Sequence, residues 1–334
     1  MKKELTICIP IYNGEKWLDE SVGSILSQDF RNFTLLCYDD GSTDGSLDKL
    51  KSFKDRRIKI IQGNENRGGI YARSQLINAL DTEYCMWMDD DDRYCRADAV
   101  RYALEKIKSN GGYDIVNFAS MYRIGEDGKT RLYRDGLYDD FSYCGSRLFE
   151  KFWPVDNMYL FNSKIFRTEI LKKSIPEDEI LSSRFCTDDM FFSAMWFFHA
   201  RRYLHVALDE PIYEYKDSIG LWGSKTRDFS LRRFGDLCIL QYYVFVSLWR
   251  RMTAIRNLNQ VEFRNFIAGV NLPMLAKMVR TARRSFGDAY ADSMIKVWHS
   301  AFAEDGKHIL NRHHDIPGFP MPEYIKSLEE MMKG

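Results

Sequence analysis

Four consecutive carboxylates, Asp89, Asp90, Asp91 and Asp92, follow the short apolar run at residues 84–88. Like charges this close repel and raise one another's pKa unless a cation or hydrogen-bond donors compensate them. A hard divalent cation, Mn²⁺ or Mg²⁺, takes oxygen ligands and is commonly held by one or two carboxylates together with substrate phosphates. The string therefore points to a metal site gripping a diphosphate, with a solvated acidic turn as the plainer alternative. Two further acidic pairs stand out. Asp39 and Asp40 end an apolar run and precede the turn types Gly41, Ser42 and Thr43. Asp188 and Asp189 open a helix-patterned stretch at residues 190–199, where carboxylates meet the helix dipole favourably.

The elements that must carry these groups follow from hydrophobic period. Residues 5–10 form a near-continuous apolar run, as expected for a strand buried on both faces, and Pro10 ends it. Trp17, Leu18, Val22, Ile25 and Leu26 recur at helical spacing and predict a helix over residues 16–28. Strands at residues 33–38 and 58–61, helices at 47–53 and 71–80, and a fourth strand ending at Asp89 complete a strand–helix alternation. That alternation predicts a parallel sheet with right-handed crossovers, whose functional loops gather at the carboxyl ends of the strands. Pro10 to Tyr12, Asp39 and Asp40, Asn66 to Arg73 and the aspartate string all fall on that edge. The middle of the chain is less regular, with a helix over 101–109, a strand over 113–118, hairpins through Tyr138 and a helix over 190–199. Beyond Ser224 long helical patterns take over, so a boundary is placed there: a catalytic domain over residues 1–223 and a helical region over 224–334.

Composition narrows the class. With 334 residues, 45% hydrophobic and 14% aromatic, the chain is globular and long enough for one large domain plus an appendage. Equal totals of 48 basic and 48 acidic residues leave no net charge to attract nucleic acid, which is not an expected partner. The seven scattered cysteines have no metal-ligand spacing and suit reduced thiols of a cytoplasmic protein. The N-terminus shows no apolar leader with a cleavage site, and residues 238–249 fall short of a spanning helix. A dinucleotide fold would carry GxGxxG after the first strand, where this chain has Pro10-Ile11-Tyr12-Asn13-Gly14-Glu15, and no GxxxxGK[ST] phosphate loop occurs.

Taken together, Ile9-Pro10-Ile11-Tyr12-Asn13-Gly14-Glu15, Tyr38-Asp39-Asp40-Gly41-Ser42-Thr43-Asp44, Asn66-Arg67-Gly68 with Ala72-Arg73, and Met88 through Asp92 resemble the family 2 glycosyltransferases of the GT-A fold. Order and spacing match as well; the resemblance is strong over residues 5–100, weaker to 220, and without a motif beyond. It implies an α/β fold, the GT-A (Rossmann-like nucleotide-diphospho-sugar transferase) mixed sheet flanked by helices, with an α-helical C-terminal extension. It also implies transfer of a sugar from a nucleotide-diphosphate donor to an acceptor hydroxyl, with inversion, aided by Mn²⁺ or Mg²⁺. Carried over residue by residue, Pro10 and Tyr12, with Asn13 and Glu15 in the same turn, line the donor pocket. Asp40 accepts a hydrogen bond from the base, Asp39 supports that turn, and Asn66 and Arg73 lie along the donor. The metal motif falls on Asp89, Asp90 and Asp91, with Asp91 the direct ligand and Asp89 contacting ribose or metal-bound water; Asp92 resembles the trailing aspartate, a helix cap. Asp189 is the expected general base and Asp188 its positioning partner. Two departures, Ser74 for the usual Asn and Cys95-Arg96 where Pro is frequent, bear on local geometry and donor choice rather than reaction class.

The last third of the chain has its own asymmetry. Residues 225–284 carry twelve basic side chains against Asp228, Asp236 and Glu262, and residues 237–249 are apolar nearly all round. Such a helix is more often buried than exposed, against the catalytic domain or a twin subunit in a homodimer. The functional alternative is peripheral docking on the inner face of the plasma membrane, on anionic lipid or a lipid-linked acceptor. The expected function is extension of a surface polysaccharide or lipooligosaccharide, with a UDP-sugar as favoured donor and a glycan or lipid-linked acceptor. A catalytically inactive sugar-nucleotide-binding subunit of a glycan-assembly complex is the alternative. A nucleotidyltransferase would need a glycine-rich basic loop that the chain lacks.

Overall fold

The structure is a computed structural model that describes residues 3–125, 127–134, 139–152, 161–176 and 188–216, with 248, 251–252, 254–255, 279–280, 282–284 and 286–300 beyond them. The chain divides into two compact units, Met1–Arg227 and Asp228–Gly334.

In the first unit the predicted alternation forms β1 (Leu5–Ile11), α1 (Leu18–Leu26), β2 (Phe33–Asp39), α2 (Ser46–Ser52), β3 (Ile58–Gln62), α3 (Gly69–Asn78) and β4 (Tyr84–Trp87). Strands β3, β2, β1 and β4 lie side by side and parallel, so the loops carrying Tyr12, Asp40, Arg67 and Asp89 leave the same edge. Every residue of β2 and β4 is buried, the outcome expected for strands covered by helices on both faces.

The centre of the fold departs from that simple order. After β5 (Arg93–Tyr94), α4 (Ala99–Lys108) and β6 (Ile115–Phe118) come β7 (Ser120–Ile124), β8 (Thr130–Arg134), β9 (Phe141–Cys144), α5 (Leu148–Phe152), β10 (Lys164–Arg167) and α6 (Thr168–Lys172). Next are α7 (Asp188–His199), β11 (Arg202–Val206) and β12 (Tyr213–Lys216). Strand β10 inserts antiparallel between β4 and β6, making the sheet mixed. Its direction matters for the site, because the start of an antiparallel strand lies beside the end of its neighbour. Asn162, just ahead of β10, is thereby delivered to the aspartates that follow β4. A second sheet, ordered β5-β12-β7-β8 among the described residues, performs the same service for β12. Tyr213 pairs with Tyr94 and Glu214 with Arg93, so β12 runs beneath the aspartate string.

Helix α7 is buried from Met190 to Phe198. Trp196 stacks on Trp87 of β4 with ring centroids 6.0 Å apart, and Phe161 and Phe192 close the cluster around them. The first turn of α7 is thus set by aromatic packing against the strand that ends at the aspartates. The hairpin pattern predicted through Tyr138 corresponds to β7 and β8, while Tyr138 itself lies outside the described residues. In the second unit the longest described helix is α8 (Asp288–Ser300), and no described helix is long and apolar enough to cross a membrane. The apolar stretch 237–249, Leu248 apart, lies outside the described residues, as does most of the basic stretch 225–284.

Candidate active site

The loop after β1 and the loop after β2 are tied to each other by reciprocal hydrogen bonds. Asn13, in the left-handed region at φ 56°, accepts from the Thr43 amide through Oδ1 at 2.8 Å, and the Asn13 amide donates to Ser42 Oγ at 3.0 Å. The Gly14 amide donates to Ser46 Oγ at 2.9 Å, the Glu15 amide to Asp44 Oδ2 at 3.2 Å, and the Gly45 amide to Glu15 Oε2 at 3.0 Å. Asn13 and Glu15, expected in the donor pocket, are the residues that join the two loops. Tyr12 stands beside them at 45% exposure, a large ring offered to solvent at the carboxyl edge of the sheet. Pro10 pairs with Tyr38 in the β1–β2 ladder directly below.

Asp40 ties in a third loop. It is buried, and its carboxylate accepts from the amides of Arg67 at 3.1 Å and Gly68 at 2.7 Å. Burial nevertheless holds its pKa above the usual carboxylate value, against those two amides. Asp39 is buried as well, with Oδ1 lacking a hydrogen-bond partner among the described residues. The backbone of Asn66 runs against Gly41, whose φ of 68° and lack of a Cβ permit that approach. The Arg67 guanidinium lies 3.7 Å from the centroid of the Tyr71 ring.

The four aspartates have separate fates. Asp92 is fully buried and accepts from Tyr213 Oη at 2.7 Å, the Lys216 amide at 3.0 Å and Asn162 Nδ2 at 3.3 Å. It caps no helix, contrary to expectation; the residue before α4 is Asp98, and Asp92 instead ties β12 to the loop. Asp89 is engaged through both oxygens, by Arg73 at 2.8 Å and Asn162 at 3.1 Å. Asp90 packs against Gly14 so closely that a Cβ there would collide with its carboxylate. Burial, then Asp91 and Asp89, push its pKa well up, opposed by the Tyr12 amide. Asp91 forms no ion pair among the described residues, and burial followed by the Asp89 charge raises it to about 7, with Lys216 opposing.

Among the described residues no group of three or more His, Cys, Asp or Glu side chains forms a ready-made metal cage. The fit is with a different arrangement. Asp91 is a crowded carboxylate that lacks a counterion, and a hard cation there would relieve the repulsion while completing its shell with phosphate oxygens. A Gly14→Ala substitution would drive its Cβ into the Asp90 carboxylate and should cost about 1–3 kcal/mol by overpacking, read as a lower midpoint of urea unfolding.

Arg73 joins the aspartates to α7. It is 8% exposed. Its Nε donates to Asp188 Oδ2 at 2.5 Å and an Nη to Asp89 Oδ1 at 2.8 Å, while the other Nη is buried without a partner among the described residues. The guanidinium sits 4.5 Å from the Phe161 ring centroid. A Cβ on Gly69, at the start of α3, would come within 2.8 Å of the Asp188 carboxylate, so Gly69 leaves room for this contact. Asp189 follows, its pKa raised to about 8 by burial and then by Asp188, with Arg73 pulling the other way and Asp89 adding to the rise. The structure thus brings the aspartate string and the acidic pair of α7 to one place, through one arginine. Asn162, Tyr213 and Lys216 belong to the same cluster and carry no motif that sequence reasoning could have used.

Residues 6–174, half of the chain, match the family described as Glycosyl transferase family 2. The chain belongs to that family. The family 2 match spans β1 through α6, and so takes in every element that forms the aspartate string and its neighbouring loops. Among curated relatives, an uncharacterized glycosyltransferase of Haemophilus influenzae is 34% identical over 183 residues, 51% of this chain and 53% of that protein. A UDP-Glc:alpha-D-GlcNAc-diphosphoundecaprenol beta-1,3-glucosyltransferase of Escherichia coli is 29% identical over 35% of this chain and 48% of its own length. The teichoic acid poly(glycerol phosphate) polymerase of Staphylococcus epidermidis is 33% identical over 33% of this chain and 15% of its own. The chain thus spans about half or less of these relatives. Among solved structures, TarS 1-349 of S. aureus superposes with a TM-score of 0.63 at 17% identity, covering 99% of this chain and 92% of that one. The fold is therefore the GT-A glycosyltransferase fold, as the sequence led us to expect.

Proposed function

We propose that this family 2 member is a metal-dependent inverting glycosyltransferase that moves a sugar from a nucleotide-diphosphate donor to a hydroxyl of a glycan or lipid-linked acceptor. The observation that carries the reading is the convergence of Asp89 and Asp91 of the loop after β4, Arg73 of α3, and Asp188 and Asp189 of α7, from segments separated widely in sequence. Pro10, Tyr12 and the turn held by Asp39 and Asp40 receive the nucleoside, with Asn66 and Arg73 beside the donor. Asp91, with Asp89 and Asp90 next to it, holds Mn²⁺ or Mg²⁺. When bound, that cation acts as a Lewis acid on the leaving diphosphate.

Asp189 supplies the base. A partly buried carboxylate with a pKa of about 8 is strong enough to accept the acceptor hydroxyl's proton as the new bond forms. Asp188, clamped by Arg73, fixes the first turn of α7 and with it the direction of the base. Attack from the face opposite the diphosphate inverts the anomeric centre.

A uridine donor is favoured: the E. coli relative is named for UDP-Glc, and TarS has been solved with UDP-GlcNAc. The same E. coli name, with a lipid diphosphate acceptor, supports a lipid-linked acceptor in envelope glycan synthesis, reached at the membrane surface through the basic stretch 225–284.

Thermal shift across a panel of nucleotide-sugars, with and without Mn²⁺, tests the reading, because a ligand bound to the native state raises apparent stability by mass action. A metal-dependent shift with a UDP-sugar, abolished in Asp91→Ala, is the expected result. A panel in which no nucleotide-sugar moves the transition under any metal condition would overturn it.

A further inference from the structure

Lys216 ends β12 in an unusual place for an ammonium group. The residue is 7% exposed, and its amide donates to Asp92 Oδ1 at 3.0 Å, which fixes its backbone beneath the aspartate string. Its Nζ pairs with the Glu20 carboxylate of α1 and lies 4.7 Å from the centroid of the Trp17 ring. Among the described residues Glu20 is its one carboxylate ion-pair partner, and Glu20 is shared with Arg93, 3.3 Å away. Arg93 in turn holds Glu214 through two hydrogen bonds of 2.5 and 2.9 Å. Glu20 would therefore keep a cation if Lys216 left it. Asp91, next to the Asp92 that holds the Lys216 amide, forms no ion pair of its own among the described residues. A buried charge is costly unless it is paired or serves a ligand. An ammonium is a compact point charge with three donors, well suited to phosphate oxygens.

We infer that Lys216 is a donor-binding residue, whose ammonium group contacts the diphosphate of the nucleotide-sugar beside the cation held at Asp91. The inference rests on the proposed function and names a residue that function did not require. Its signature is a split in sign. A lysine at this position repels a divalent cation and attracts a diphosphate, so removing the charge should help one ligand and harm the other. A residue that merely supports the fold would weaken both.

Calorimetric titrations of the whole chain read this directly, with Mn²⁺ alone and then with UDP, GDP or inorganic pyrophosphate at saturating Mn²⁺. Lys216→Met should bind Mn²⁺ alone more tightly. The same variant should bind the diphosphates about 10- to 100-fold more weakly, the range for hydrogen bonds to charged groups. Lys216→Arg, which keeps the charge, should recover most of that loss. Glu20→Gln, which releases the ammonium from its partner, should bind the diphosphates as well as the parent or better. Losses of both ligands in Lys216→Met, unchanged affinities, or a Glu20→Gln variant damaged in parallel with Lys216→Met would each overturn the role of Lys216. Failure of the unsubstituted protein to bind any of the three diphosphates with Mn²⁺ would instead overturn the proposed function. Circular dichroism of each variant, with Lys216→Arg as the second probe of the position, separates a binding effect from misfolding.

Discussion

Asp189→Asn should abolish sugar transfer while giving a protein that resists unfolding better than the parent as pH rises. The first half follows from the proposed base role, since loss of a positioned general base typically lowers the rate about 10²- to 10⁴-fold. Donor binding, measured by thermal shift, should survive. The second half follows from linkage. Asp189 has a pKa raised from 3.8 to about 8 by burial and by Asp188, so between those values the folded chain binds a proton that the unfolded chain has lost. Stability contributed by this group is fully present below about pH 4 and falls as pH climbs toward 8. Asparagine keeps the shape of the protonated acid and removes that dependence. Urea denaturation at pH 5, 7 and 8.5 should show the parent losing ground to the variant at each step. Parallel stabilities across that range would mean that Asp189 ionises like a solvated helix-end carboxylate, and the base assignment would fail with it.

Arg73→Met carries the largest expected loss of stability. Arg73 and Asp188 have side chains only 9% and 13% exposed, and Asp89 is 31% exposed, so this is a buried network with one cation between two carboxylates. Removing one partner of a buried pair leaves uncompensated charge, which costs about 3–5 kcal/mol. Arg73→Lys should be intermediate, because an ammonium retains the charge but cannot present the fork that reaches Asp188 and Asp89 together. The midpoint of urea unfolding measures both. A methionine variant within 1 kcal/mol of the parent would show that the two carboxylates relax into solvent and that the arginine is not the link between them.

The parallel half of the sheet was legible because its strands are buried on both faces and its helices are amphipathic. Each run in the sequence, such as Phe33 to Tyr38, has one structural meaning. The loops were legible for a related reason, since Asp40, Gly41 and Asn13 are turn types placed at strand ends. What stayed hidden depends on pairing between distant segments. Nothing local to Lys164–Arg167 says that it runs antiparallel beside β4, so nothing marked Asn162 as a partner of Asp89. Strand β5 is two residues long, and β12, held between it and β7, sets Tyr213 against Asp92. Arg73 is placed along the donor by its motif, but the carboxylate that buries it stands 115 residues away and has no local mark. Asp92 was misjudged for the opposite reason: an acidic residue ahead of a helix suggests a cap, and only the tertiary fold shows that it holds β12 instead.

The order in which these parts occur along the chain has a consequence for biosynthesis. The reciprocally bonded loops at residues 13–15 and 42–46, together with Asp40 and its grip on residues 67 and 68, are complete once the fourth strand has emerged. Asp188 follows Asp92 by 96 residues. At about 5–20 residues per second on the ribosome, several seconds separate the aspartate string from the acidic pair of α7. A nascent chain therefore carries Arg73 and Asp89 well before Asp188 exists, so the arginine-centred network closes only after the first turn of α7 has been made.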